Sequence, residues 1–337
     1  MDEEKVGPEV DESVFSRGAP IDVKGVGDKK LKRELEHLEA KTRHAARSAL
    51  RAEMLQVEEA GMLEAEGMER TYKFTQREIA HNVDKNSARK AFELSLRDFG
   101  PYCVDWTRHG KYLLLGGRKG HLAVVMYEQS RLTSEFHVRE AVHAVKFLHD
   151  ESMLAVAQKR HVYVYDKAGT ELHCLRNHAD PLALEFLPYH FLLCSIGRQG
   201  VLRYQDTSTG TVVAELRTKA GPCAVLRGSP YNAVLHCGHA NGTVTLWSPN
   251  LTEPLVKMLC HRGQVLDVAL SRDGRYMVSA GADRAVKVWD VRMFREVHAY
   301  STVRPPASLD LSQRGLLAVG HGPHVQVWRD ALATKAA

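Results

Sequence analysis

Cysteine pairs, long apolar runs and catalytic signatures are all missing from this chain of 337 residues. Its six cysteines, Cys103, Cys174, Cys194, Cys223, Cys237 and Cys260, make no C-x-x-C pair and keep no regular spacing. That excludes a zinc ribbon or finger and leaves buried free thiols. No apolar stretch approaches the roughly 20 residues needed to span a bilayer. Met1 to Glu12 is acidic and holds no apolar core, so it does not read as a secretory signal. A reduced, intracellular protein without a membrane partner is the expectation. There is no G-x-x-x-x-G-K-[ST] loop, no H-E-x-x-H helix and no G-x-S-x-G elbow. No enzyme activity, cofactor, metal or small-molecule substrate is therefore expected.

Aromatic residues make up only 7% of the chain, yet six of them recur on a beat. Tyr127, Tyr165, Tyr204, Trp247, Trp289 and Trp328 each close a short apolar run, at separations of 38, 39, 43, 42 and 39 residues. A period near 40 matches four-stranded blades stacked around an axis. The clearest unit runs from His261 through Val265–Leu270, the turn Asp273-Gly274, Tyr276–Ser279 and Ala285–Val288 to Trp289-Asp290. The other copies are degraded: Gln199 and Asn241 stand where Asp283 stands, and Gly221 replaces the histidine. The expected fold is an all-β WD40 β-propeller over residues 99–330, with six repeats. Phe92–Leu96 is expected to close the ring as an added outer strand.

His261, Ser279 and Asp283 invite a Ser–His–Asp reading. With Trp289 they fit a structural tetrad better, a hydrogen-bond chain that ties the strands of one blade together. No nucleophile elbow surrounds Ser279. Gly116-Gly117-Arg118-Lys119-Gly120 lies between two strands, which makes it a tight turn rather than a phosphate cradle.

The first hundred residues differ in kind. They carry 18 basic and 21 acidic side chains, whereas residues 101–337 carry 28 and 20. Residues 1–27, with six glycines and prolines, read as an extended or disordered tail. A helical arm over 28–98 follows. Asp28 is a good N-cap, and a helix is predicted to about Glu66, about 57 Å long. Leu31, Leu35 and Leu38 give it only a short apolar stripe. Nine basic residues crowd 24–51 and six acidic ones crowd 52–69. Lys29, Lys30, Lys32, Arg33, Lys41, Arg43, Arg47 and Arg51 are candidate contacts to RNA or a partner. Lys29 to Arg33 also has the composition of a nuclear import signal. A second basic helix is predicted over Asp84 to Ala91.

In a blade the turns between second and third strands share a face with the loops between blades. The turns carry Arg118, Lys119, Lys159, Arg160, Arg198 and Arg284, and the loops carry Arg139, Lys219, Arg262 and Arg304. Ten cations on one face predict a surface for RNA phosphates.

Several stretches are not generic repeat residues. They include Phe99-Gly100-Pro101-Tyr102, Gly116-Gly117-Arg118-Lys119-Gly120-His121 and Ala157-Gln158-Lys159. Phe186 to Leu193, Tyr204 to Gly210 and Lys257-Met258-Leu259-Cys260-His261 complete them. On these the chain resembles, over nearly its whole length, the Utp-seven or BING-four family, also called WD-repeat protein forty-six. The resemblance implies a non-catalytic scaffold of the small-subunit processome in the nucleus and nucleolus. Its implied partners are precursor ribosomal RNA, the U-three small nucleolar RNA and other processome proteins, in maturation of 18S ribosomal RNA and small-subunit assembly. It also implies a seventh blade and a basic tail in the complete protein, so residues 331–337 are expected to be a truncated end. The alternative is a protein-only WD-repeat adaptor of a ubiquitin ligase or chromatin complex, with the arm as a dimerising coiled coil.

Overall fold

The computed structural model describes residues 23, 25–53, 67–68, 70–83, 85–88, 94–329 and 331–332. The chain divides into two compact units, Met1–Arg89 and Lys90–Ala337.

In the first unit, α1 spans Lys29–Glu53. Asp28 starts it: its carboxylate accepts from Lys30 N at 2.9 Å, and its carbonyl accepts the first helical bond from Lys32 N at 2.9 Å. At 25 residues α1 is about 37 Å long, shorter than the helix expected. The predicted continuation over 54–66 falls outside the described residues, as does the tail up to residue 22. Leu31 and Leu38 stay exposed, so the short stripe does not build a buried seam. A helix that sequence reading passed over, α2 (Gln76–Asn82), is fixed by a capping box. Thr75 N donates to Glu78 Oε2 at 2.7 Å and Glu78 N donates back to Thr75 Oγ1. The T-x-x-E spacing was its signal. The expected basic helix shortens to α3, Lys85–Ala88, with Asp84 and residues 89–91 outside the described part.

The second unit is a propeller of six blades. Blade 1 holds β1 (Tyr102–Trp106), β2 (Tyr112–Gly117), β3 (His121–Met126) and β4 (Arg131–His137). Blade 2 holds β5 (Val142–Phe147), β6 (Met153–Gln158), β7 (Val162–Asp166) and β8 (Glu171–Leu175). Blade 3 holds β9 (Pro181–Leu187), β10 (Leu192–Gly197), β11 (Val201–Asp206) and β12 (Val212–Arg217). Blade 4 holds β13 (Cys223–Gly228), β14 (Leu235–His239), β15 (Thr243–Trp247) and β16 (Val256–Leu259). Blade 5 holds β17 (Val265–Leu270), β18 (Tyr276–Gly281), β19 (Ala285–Asp290) and β20 (Arg295–Ser301). Blade 6 has three described strands, β21 (Ser308–Leu311), β22 (Leu317–His321) and β23 (His324–Trp328).

Every blade is an antiparallel meander, and the innermost strands pack each on the next in chain order. The core is a set of apolar layers between neighbouring blades. Val156 and Leu154 meet Leu114 and Leu122, Trp247 and Leu235 meet Tyr204 and Leu202, and Val278 and Val288 meet Leu317 and Val319. Both faces of a middle strand are therefore covered. That is why β14 and β15 are buried at every position and read as continuous rather than alternating sequence. The outer strands β4 and β20 alternate instead.

The closing strand proposed at Phe92–Leu96 is not formed where it can be seen. Leu94, Ser95 and Leu96 are outside any strand, and residues 92–93 lie outside the described part. Leu96 packs as a side chain against Leu113, Leu115, Ala123 and Val125 of blade 1. It covers the open face of a blade rather than extending one. Among the described residues no helix is long and apolar enough to cross a membrane.

Candidate nucleic-acid interface

The site begins with turn geometry. In each blade the second-to-third-strand turn is bonded to the loop that enters the next blade. Val138 N donates to Gly120 O, Asp180 N to Arg160 O, Thr218 N to Gly200 O, Cys260 N to Gly242 O and Thr302 N to Arg284 O, all at 2.8–3.0 Å. Both sets of loops thus lie on one face. Turn and loop approach so closely that little side chain fits between them. At Gly242 (φ +83°) a Cβ would lie 2.1 Å from His261 O. In blade 5 the corresponding turn places Arg284 at φ 63°. Arg284, like Arg160 in blade 2, stands where blades 1, 3 and 4 use glycine.

All ten candidate cations, Arg118, Lys119, Arg139, Lys159, Arg160, Arg198, Lys219, Arg262, Arg284 and Arg304, are on these turns and loops, and all are exposed. Arg118 and Arg198 come from blades 1 and 3 yet converge on His143 of blade 2. Partial burial lowers its pKa, and both guanidiniums lower it further. The face is less purely basic than turn tips alone indicated. The interblade loops add exposed Glu140 and Asp180, and one further cation, Arg176. Lys119 is partly occupied, because its ammonium donates to Asp98 O at 2.8 Å.

Under this face lies the tetrad. His261 Nδ1 is 3.0 Å from Asp283 Oδ1, His261 Nε2 is 2.8 Å from Ser279 Oγ, and Trp289 Nε1 donates to Ser279 Oγ at 3.1 Å. Asp283 also accepts from Arg262 N and Ala285 N, so one carboxylate ties the interblade loop to the turn. Asp283 is the partly exposed member of the tetrad, with its side chain 21% exposed. Burial lowers the His261 pKa, and Asp283 opposes that by stabilising the imidazolium. A serine whose oxygen is shared by an imidazole and an indole deep in a sheet is unavailable as a nucleophile.

Two related chains escaped sequence reading because their residue types differ. In blade 4, His239 Nε2 meets Thr245 Oγ1 at 2.7 Å, and Trp247 Nε1 donates to the same hydroxyl at 2.8 Å. In blade 3, His178 Nδ1 meets Ser195 Oγ at 2.5 Å and its Nε2 meets Gln205 Oε1 at 2.7 Å. Gln199, which stands in the repeat where Asp283 stands, is an exposed turn residue.

In the arm, Lys29, Lys30, Lys32, Arg33, Lys41, Arg43 and Arg47 are exposed on α1, while the side chain of Arg51 is outside the described part. At 100° per residue, Lys29, Lys32, Arg33, Arg43 and Arg47 share an arc of about 100°. Lys30 and Lys41 lie off that stripe. Arg43 is bridged to Glu39 at 3.3 Å, an exposed pair of small energetic weight. Among the described residues no three His, Cys, Asp or Glu side chains are grouped to hold a metal.

Radial four-stranded blades, knitted by His–Ser–Trp and His–Thr–Trp chains beneath a loop face, define a WD-repeat β-propeller. The family model described as WD domain, G-beta repeat matches residues 252–290, the least degraded blade. The chain is 44% identical over 322 residues to U3 small nucleolar RNA-associated protein 7 of Saccharomyces cerevisiae, covering 95% of this chain and 58% of that protein. It is 45% identical over 300 residues to WD repeat-containing protein 46 of Homo sapiens, covering 89% and 49%. The Caenorhabditis elegans protein of the same name is 44% identical over 311 residues, covering 92% and 54%. The chain belongs to this family of WD-repeat proteins. It spans about half the length of the relatives it matches.

Proposed function

We propose that this chain is a non-catalytic scaffold of the nucleolar small-subunit processome, and that its basic propeller face and the α1 stripe hold precursor ribosomal RNA or the U-three small nucleolar RNA. The observation that carries the reading is the convergence of ten exposed cations from five blades on one face. The name of the yeast relative supports the RNA context. On this reading the chain helps position RNA for 18S maturation and small-subunit assembly, alongside other processome proteins.

Phosphate neutralisation releases counterions, so binding through this face falls with salt by about 0.7 log units per log of salt for each single-strand contact. The experiment is titration of the chain with single-stranded pre-ribosomal RNA over a salt series, beside a variant with Arg118, Lys119, Lys159 and Arg160 all changed to Glu. Equal affinity and equal salt slope in the two proteins would remove the face from the reading. For the arm, deletion of residues 1–70 is expected to abolish incorporation into the particle while leaving cooperative melting of the propeller. Normal incorporation of the shortened chain would refute the arm's part.

A further inference from the structure

The opposite face of the propeller has a different chemistry. There the innermost strands of all six blades end around a cavity of about 940 Å³. Part of its wall is apolar, with Phe147, Leu187, Leu270 and Leu311 each supplied by a different innermost strand. On the rim, Tyr189 and Tyr231 are 71% and 72% exposed, an unusual state for two large rings beside one opening. Arg108 and Arg272 are the exposed guanidiniums of the rim, one in blade 1 and one in blade 5. Arg108 stacks over Tyr189 at 4.8 Å and donates to its hydroxyl, while Arg272 donates to Gln313 at 3.4 Å. Neither has a carboxylate partner among the described residues.

The floor is ionic. The innermost strands of blades 1 to 5 supply Asp105, Lys146, Glu185, Arg227 and Asp267 in alternating sign, and Asp310 of blade 6 follows as a further carboxylate. Lys146 Nζ lies 3.0 Å from Asp105 and 3.5 Å from Glu185, and Arg227 lies 3.5 Å from Asp267. Glu185 Oε2 is buried and is answered by the Lys146 ammonium at ion-pair distance.

We propose that this mouth docks an extended, acidic peptide segment of a partner protein. One aliphatic or aromatic side chain of the segment enters the cavity between Tyr189 and Tyr231. Flanking Asp or Glu residues meet Arg108 and Arg272. RNA fits this surface less well. Only two exposed guanidiniums face the mouth. The apolar part of the wall suits a side chain in a concave pocket, where buried aromatic and arginine contacts dominate recognition.

The test is selection of short random peptides, displayed on phage, against the full chain. The expected outcome is enrichment of sequences with Asp or Glu on either side of a Leu, Phe or Trp. Synthetic copies should lose at least tenfold in affinity to an R108E/R272E variant and to Tyr231→Ala, both melting like the parent. They should bind the quadruple variant of the basic face unchanged, which separates this inference from the RNA reading. Failure to enrich acidic sequences, or equal binding to R108E/R272E, overturns the proposal. Oligouridylate binding that R108E/R272E abolishes would also overturn it and place nucleic acid in the mouth.

Discussion

The two faces of the propeller are made by the same strands and end in opposite chemistries. One is a rim of ten exposed cations on turns too tight for bulky side chains. The other is a cavity with aromatic rings at its edge and buried carboxylates on its floor. The difference follows from the blade. Turns bonded to interblade loops, as at Gly120 and Gly200, have backbone packed beneath them and project only long flexible side chains. The turns at the ends of the innermost strands converge on the central opening, where rings from several blades can share one space. A single architecture thus presents a cationic surface on one face and an aromatic-rimmed cavity on the other.

The largest expected effect tests whether the cations act together. Changing Arg118, Lys119, Lys159 and Arg160 to Glu should reduce the salt slope of RNA binding by about 3, four contacts at about 0.7 each. Fluorescence anisotropy across a salt series reads it. A slope unchanged in that variant but reduced in R108E/R272E would exchange the roles of the two faces.

Next in size is the foundation of the basic face. Ser279→Ala removes a hydroxyl that accepts from Trp289 Nε1 and is hydrogen-bonded to His261 Nε2, which should cost about 3 kcal/mol of stability. Chemical denaturation measures it. The peptide mouth is built from other residues, so peptide binding by the fraction still folded should be unaltered.

The third prediction concerns acid. His178 is buried beneath the basic face with its pKa pushed down to about 4, mainly by desolvation, from an ordinary 6.5. A base whose folded pKa is depressed is protonated more readily in the unfolded chain. Its contribution is complete above about pH 6.5 and is lost as pH falls towards 4. At pH 5 the loss is on the order of 2 kcal/mol. Melting temperature should drop between pH 7 and pH 5. His178→Gln should melt lower at pH 7 yet show a smaller drop. An equal drop in both proteins would assign the acid sensitivity elsewhere, for instance to His239, also depressed to about 4.

The smallest effect sharpens the comparison most. Asp283 is the acid of the basic turn tips, and its side chain is partly exposed. Water can replace part of what it offers, so Asp283→Ala should cost only about 1 kcal/mol. The same change should tighten RNA binding at low salt, because it removes a negative charge from a cationic face. Weaker RNA binding at unchanged stability would mean that Asp283 orients Arg262 rather than opposing the phosphates.

Sequence alone determined the propeller, its period and its family. Those are local properties: a closing aromatic such as Trp247 or Trp289 must recur once per blade, and each turn must supply a small or long-chained residue. The position of the ten cations was legible for the same reason, since a turn between two paired strands has only one face to point from. Blade 5 was legible down to its tetrad because His261, Ser279, Asp283 and Trp289 all kept their types. Blades 3 and 4 were not, because Gln205 and Thr245 serve as partners from strands where the repeat gives no such cue. The fate of Leu96 was also decided in three dimensions, where covering an apolar face of blade 1 won over strand pairing. The alternating ring from Asp105 to Asp267 was invisible as well. Its members lie about 40 residues apart, and only the stacking of innermost strands brings Lys146 within 3.5 Å of Asp105 and Glu185, and Arg227 within 3.5 Å of Asp267. Burial there makes each charge depend on its neighbour in the next blade, a dependence that sequence spacing does not record and packing around a common axis creates.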